Sequence, residues 1–292
     1  MRRILVTGAT GTVGGAVLKA LAATADDDVQ VLGASRSAAG DAAIAAAGHA
    51  AVRLDYDAPA TLRPAMDGVD ALFLATGYTV DMLVQSKRAL DAAKAAGVRH
   101  VVHLGALAAD DTPLAHFAWH QLIERAIEAM GFSWTHLRPN FFIDTAWAGV
   151  RARPDRIVHF VADRPVSWIA SDDIAAVAAV ALADPAAHAG KAYPLASERA
   201  TFAQVASVLS EVTGRAVEYR PRPAAELFAI LQRQGMEPVY AKSLAEGLVL
   251  AETGDLPLAD AVFPTVEEVT GRPATTWRAF AAARLSELPR AS

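Results

Sequence analysis

Between residues 6 and 14 the chain reads Val6-Thr7-Gly8-Ala9-Thr10-Gly11-Thr12-Val13-Gly14, in which an apolar strand-like run passes through glycines spaced three apart into an alanine-rich helical pattern. The spacing has a mechanical meaning. Gly8 permits the tight turn, Gly11 lets the backbone approach a pyrophosphate closely, and Gly14 lets the helix pack on the sheet. The exposed N-H groups and partial positive charge of the helix N-terminus then favour an anion. A glycine pattern alone is a weak signal, and its confirmation is the strand-turn-helix context.

That context is present. Up to about residue 137 short apolar runs at 3–7, 29–33, 51–54, 70–76, 99–104 and 134–137 alternate with helical patterns at 12–23, 41–47, 59–66, 79–95 and 114–130. Several of these helices are closed by a glycine, such as Gly48, Gly97 or Gly131. This alternation predicts an α/β fold, a Rossmann-type doubly wound parallel sheet. Beyond Pro139 the rhythm loosens. Ser171-Asp172-Asp173 reads as an N-cap for a helix over 174–182, a strand over 191–195 rejoins the sheet, and a strand is expected over 216–219. We expect a dinucleotide-binding domain over 1–155, rejoined by 171–196, and a smaller helix-rich domain over 156–292, mainly 197–292. The acidic run at 26–28 reads as a solvated loop.

Composition removes several classes of function. The 292 residues contain 53% hydrophobic and 20% charged side chains, which is too apolar for disorder. With 27 basic against 32 acidic side chains the net charge is −5, so no global positive field exists to hold nucleic acid. Zero cysteines exclude disulfides, thiolate metal sites and cysteine nucleophiles. The N-terminal apolar run is too short for a secretory signal, and no stretch approaches the length of a membrane span. The expectation is a cytoplasmic protein, monomer or homodimer, acting on a small molecule without nucleic acid or membrane.

The second strand speaks to the dinucleotide. It ends Gly33-Ala34-Ser35-Arg36-Ser37, with no carboxylate before Asp41. An acidic residue there would grip a ribose 2′-hydroxyl, whereas arginine accommodates a 2′-phosphate, so the expected cofactor is NADP(H). The cradle is then Thr7, Gly8, Thr10, Gly11, Thr12, Val13 and Gly14, with Ser35, Arg36 and Ser37 around the phosphate. Asp55, Thr76 and Gly77 fall at the carboxyl edge of the sheet, although Asp55 can equally cap a turn.

TGATGTVGG at the start, LRPNFFID at 137–144 and VTGRPATTWRAFAA at 269–282 together resemble the NmrA-like branch of the atypical short-chain dehydrogenase/reductases, close to its NAD(P)H:quinone oxidoreductase-type members. The resemblance implies a Rossmann domain carrying NADP(H) and a small C-terminal domain closing a substrate cleft over the nicotinamide. It also implies Asn140 and Phe141 at the nicotinamide or lining the cleft. Catalytic short-chain reductases use a tyrosine, a lysine four residues later, and a serine after the fifth strand. No Tyr-x-x-x-Lys occurs in this chain. The three positions fall on His116, His120 and Gly105.

His116, His120 and Glu124 recur every fourth residue. Successive steps of four drift about 40° around a helix, so three such groups do not easily converge on one ion, and no metal is expected. The catalytic reading assigns His120 to the nicotinamide ribose or a substrate oxygen, with Glu124 accepting its other N-H; the alternative is a helix-surface hydrogen bond without chemistry. His116, Phe142, Trp147 and Trp168 are expected to meet a flat substrate, with Trp119 as a further wall candidate. Without a dedicated acid, quinones, enones or iminium ions suit hydride transfer better than simple ketones. A non-catalytic NADP(H)-sensing protein that binds a protein partner is the alternative.

Overall fold

The computed structural model describes residues 1–24 and 28–289. Of the acidic run, Asp26 and Asp27 lie outside the described residues. The strands are β1 (Arg2–Val6), β2 (Val29–Ser35), β3 (Ala50–Arg53), β4 (Ala71–Leu74), β5 (His100–Leu104), β6 (Ser133–Pro139), β7 (Phe141–Phe142), β8 (Arg156–His159), β9 (Val166–Ile169), β10 (Lys191–Leu195), β11 (Glu198–Ala200) and β12 (Glu218–Pro221). The helices are α1 (Thr12–Thr24), α2 (Ala38–Ala46), α3 (Leu62–Ala65), α4 (Met82–Ala96), α5 (Ala115–Ala129), α6 (Ile143–Ala152) and α7 (Ser171–Ala183), followed by α8 (Pro185–His188), α9 (Phe202–Thr213), α10 (Leu227–Arg233), α11 (Pro238–Thr253), α12 (Thr265–Thr270) and α13 (Trp277–Ala283).

The chain divides into two compact units. The first comprises Met1–Ala106, Phe117–Arg138 and Ser171–Tyr193. It holds a seven-stranded sheet in the order β10-β6-β5-β4-β1-β2-β3. The six strands β1 to β6 run parallel. This is the Rossmann-type doubly wound α/β fold expected from the alternation. β4, buried at every position as Ala71-Leu72-Phe73-Leu74, shows why a central parallel strand reads as an unbroken apolar run. The strand order reverses between β1 and β4, and ligands of such sheets bind outside the carboxyl ends at that point. There Thr7 Oγ1 donates to Phe73 O (2.9 Å) and accepts from Ala75 N (2.9 Å), tying the two strand ends together.

The second unit comprises Leu107–His116, Pro139–Ala170 and the chain from Pro194 onward. Its small sheets are β11-β9-β7 and the parallel pair β12-β8. Its core gathers Trp168, Trp277, Phe202 and Phe280 with the apolar faces of α6, α9 and α11. Among the described residues, no helix is long and apolar enough to cross a membrane.

Several boundaries differ from the sequence pattern for local reasons. α2 starts at Ala38 rather than 41 because Ser37 caps it, accepting from Gly40 N. The helix expected over 59–66 is a 3-10 turn at Pro59–Thr61 followed by the short α3. Ser171, Asp172 and Asp173 do not precede the next helix; they form its first turn, where carboxylates suit the helix dipole. The strand expected over 216–219 lies at Glu218–Pro221, in register with β8.

Candidate functional site

The glycine turn lies between β1 and α1, at the reversal of strand order. Gly8 has φ +63°, the left-handed region that glycine adopts without strain. Gly14 is buried, and a Cβ built on it would stand 2.2 Å from Gly8 O and 2.9 Å from Thr7 O, so only glycine lets α1 begin there. Gly8, Thr10, Gly11 and Thr12 are exposed, while Thr7, Val13 and Gly14 are buried beneath them. The exposed members therefore present backbone and hydroxyl groups at a helix N-terminus, and the buried ones hold the turn's shape. These residues fit a dinucleotide pyrophosphate.

At the end of β2, Ser35 is buried and its hydroxyl donates to Ser37 O (2.9 Å). Arg36 and Ser37 are exposed at the start of α2. β3 adds a residue that the sequence pattern did not single out. The register pairs Ser35 with Arg53, whose guanidinium donates to Arg36 O and to the Asp41 carboxylate. A second guanidinium, ion-paired with Asp41, thus lies beside Arg36, brought there by strand register. Asp55 closes a turn, its Oδ1 accepting from Asp57 N (3.0 Å) and its own N-H donating to Thr61 Oγ1 (2.9 Å). Thr76 is half-buried and Gly77 exposed just beyond β4, after the Ala75 carbonyl that Tyr56 holds through its hydroxyl (2.8 Å).

Beneath α5 the structure departs from the expected pairing. Glu124 is buried and is gripped by Arg138, with Nε to Oε1 at 3.1 Å and Nη2 to Oε2 at 2.6 Å. The two-pronged ion pair engages both carboxylate oxygens, so Glu124 serves Arg138 and not His120. Gly105 explains how it fits. A Cβ there would meet Glu124 Oε1 at 3.1 Å and Leu137 O at 3.3 Å, so the carboxylate fills space that a larger residue would need. His120 is half-buried, with its ring centroid 5.5 Å from that of His103. His103 and His136 are fully buried register partners on β5 and β6, 5.8 Å apart. Burial holds both imidazoles below the usual histidine range, His103 furthest, and the Arg138 charge lowers both further. The alternation of His103 with Gly105 and of His136 with Arg138 was a legible signal that these side chains share one face of the sheet.

His103, Glu124 and His136 bring potential ligand atoms within 4.8 Å of one another. The set differs from the His116, His120 and Glu124 series. Its carboxylate is already neutralised by Arg138, and the adjacent guanidinium opposes a second cation.

The remaining sequence candidates lie in the second unit. His116 is buried in the first turn of α5. Its backbone N-H donates to Ser243 Oγ (3.1 Å), and its Nδ1 lies 2.7 Å from the same oxygen. One serine oxygen thus holds both the backbone and the ring of His116. Burial lowers this imidazole to about 4. Asn140 spends its amide nitrogen inside the unit, donating to Ser167 Oγ (2.8 Å) and Leu258 O (3.0 Å). Phe141 and Phe142 are half-buried, and the Phe141 ring packs edge-on against Trp168 at 5.9 Å. Trp147 and Trp168 are not substrate walls. They are 2% and 1% exposed, with indole N-H groups donating to Glu287 and Ala200 O, because large aromatic side chains fill the core between β9, α6 and α13. Trp119, on α5 in the first unit, is likewise buried.

A Rossmann-type sheet with its glycine turn at the strand-order reversal defines the class of protein, a nucleotide-binding α/β fold. The chain belongs to the NmrA-like family, which matches residues 1–269. It is 33% identical over 284 residues to the NAD(P)H azoreductase of Xenophilus azovorans, covering 96% of this chain and 97% of that one. Among solved structures it is similar to the Escherichia coli NADPH-dependent quinone oxidoreductase complexed with NADPH, with a TM-score of 0.82, 30% identity, and 97% and 99% of the two chains covered. The Citrobacter sp. triphenylmethane reductase complexed with NADP(H) follows at TM-score 0.80 and 26% identity, with 96% and 99% covered.

Proposed function

We propose that this chain is a cytoplasmic NADPH-dependent reductase, a monomer or homodimer, that transfers hydride to a flat activated acceptor such as a quinone, enone or iminium ion. The observation that carries the reading is the exposed glycine turn, whose Gly14 excludes even a methyl group, set at the helix N-terminus where a pyrophosphate binds. Resemblance to the azoreductase and to the NADPH-bound quinone oxidoreductase supports it. Bound there, NADPH supplies the hydride and both electrons. The protein's own residues do the rest. Backbone N-H groups at the start of α1 would neutralise the pyrophosphate, while Arg36, Ser37 and the neighbouring Arg53 would receive the 2′-phosphate. Glu124 and Arg138 make a rigid, charge-balanced floor under α5, and His120 stands half-exposed above it as the group that meets the acceptor.

The test is anaerobic loss of NADPH absorbance against quinones, enones and cyclic iminium compounds, with NADH as control and binding followed by fluorescence. Saturable turnover preferring NADPH is expected. Tight NADPH binding with no turnover across the panel would overturn the reductase reading in favour of a sensor.

A further inference from the structure

The face of the sheet under α5 carries more buried titratable chemistry than packing requires. His120, Glu124 and Glu128 recur every fourth residue along α5, so they form a stripe down one side of the helix. β5 and β6 oppose it with His103 and His136. At one end, His136 Nε2 lies 3.3 Å from Oε1 of Glu128, whose side chain is 24% exposed and also paired with Arg125. At the other end, His103 approaches the half-exposed His120. Between them, Nδ1 of His103 and Nδ1 of His136 are buried without a hydrogen-bond partner. An orphaned buried polar atom is destabilising, a penalty that phenylalanine at either position would avoid.

We propose that the seam Glu128–His136–His103–His120 conducts a proton from solvent to the acceptor as it is reduced. The inference rests on the reading that the acceptor is reduced beside His120. A seated acceptor excludes water from that side, so a route from beneath the helix supplies what bulk solvent no longer can.

The step balances. The transfer is concerted: as Glu128 takes up a solvent proton and delivers it to Nε2 of His136, that ring gives up its Nδ1 proton toward His103, and His103 in turn gives one to His120. His120 gives its N-H proton to the acceptor atom that gains electron density from the hydride. Every N-H or O-H bond broken is matched by one formed, Glu128 ends the transfer as the carboxylate it began as, and both electrons arrive with the hydride. No ring becomes a cation at any stage, so the burial and the Arg138 charge that disfavour imidazolium at His103 and His136 do not block the path. A nitrogen of His103 and a nitrogen of His136 lie within 4.8 Å, a gap that one water or one ring rotation spans.

The experiment is rapid-mixing oxidation of NADPH by the full-length protein, in H2O and D2O, with two acceptors: a quinone, which must gain a proton, and a cationic triphenylmethane dye, which takes hydride alone. Wild-type quinone reduction is expected to slow in D2O. Glu128→Gln, at a partly exposed position that the fold tolerates, is expected to lower the quinone-to-dye rate ratio about tenfold or more, and His103→Phe further. A second readout needs no turnover. Ring nitrogen NMR of the protein should show His103 and His136 neutral and exchanging between tautomers, with slower exchange in Glu128→Gln. An unchanged rate ratio and D2O effect in Glu128→Gln, or a single fixed tautomer at His103, would overturn the relay. If the wild type oxidises NADPH with neither acceptor, the reductase reading fails instead, and the ring spectra alone decide the relay.

Discussion

Alanine at Gly14 and alanine at Gly11 are the same substitution three residues apart, and the structure assigns them different consequences. A Cβ at Gly14 would stand 2.2 Å from Gly8 O, where real contacts begin near 3.0 Å, so the Gly8 peptide has to retreat by about 0.8 Å. That peptide cannot rotate aside, because Gly8 sits at φ +63° directly after the Thr7 hydroxyl bridge to β4. Overpacking costs about 1–3 kcal/mol, and rigid backbone partners place this case at the upper end. Helix propensity returns about 1 kcal/mol when glycine becomes alanine. The net loss is about 2 kcal/mol, which lowers the melting temperature by about 4–8 °C at ~2–4 °C per kcal/mol. At Gly11 the nearest atom is Gly8 O at 3.2 Å and the residue is exposed, so stability should change by less than about 1 kcal/mol. There the methyl group intrudes where the pyrophosphate approaches, and the NADPH dissociation constant should rise at least about tenfold, or ~1.4 kcal/mol. Thermal unfolding by circular dichroism and fluorescence titration with NADPH separate the two effects. A Gly14→Ala protein that melts with the wild type, or a Gly11→Ala protein that keeps wild-type affinity, would refute this account of the turn.

Arg36→Ala should weaken NADPH binding far more than NADH binding in parallel titrations, and equal losses would remove it from the 2′-phosphate. Ser243→Ala strips a partner from both the backbone N-H and Nδ1 of buried His116 and should cost about 1–3 kcal/mol in urea unfolding; no change would show that water replaces the hydroxyl. His100, His116 and His159 each have a folded pKa of about 4, below the ordinary 6.5. The unfolded chain therefore binds more protons between those values, so stability is fully present above about pH 6.5, falls as pH drops, and flattens below about 4. His159→Phe, which keeps the ring stacked 4.1 Å from Phe202, should reduce that acid slope by about one proton, or ~1.4 kcal/mol per pH unit. An unaltered slope would show that His159 does not titrate on unfolding.

Local backbone physics was legible in the sequence. The glycine turn needs φ and close-packing options that no other residue provides, and the alternation of apolar strands with alanine-rich helices leaves few topologies open. From these alone followed the parallel sheet, the return of the strand at Lys191–Leu195 to that sheet, and the place of the turn at the carboxyl end of β1. Side-chain partnership was not legible, because it is decided by register and packing between residues far apart in the chain. Glu124 is one turn from His120 along α5, yet β6 presents Arg138 to it, and a guanidinium fork outcompetes an imidazole for a buried carboxylate. Trp147 and Trp168 have the composition of a substrate wall, but hydrophobic burial drew them into the core of their unit. Arg53 came beside Arg36 only through the pairing of β2 with β3, and Ser243 reached His116 across 127 residues. A backbone motif carries its geometry within a few consecutive residues. The charge and hydrogen-bond partners that tune a side chain are set only when the chain has closed on itself.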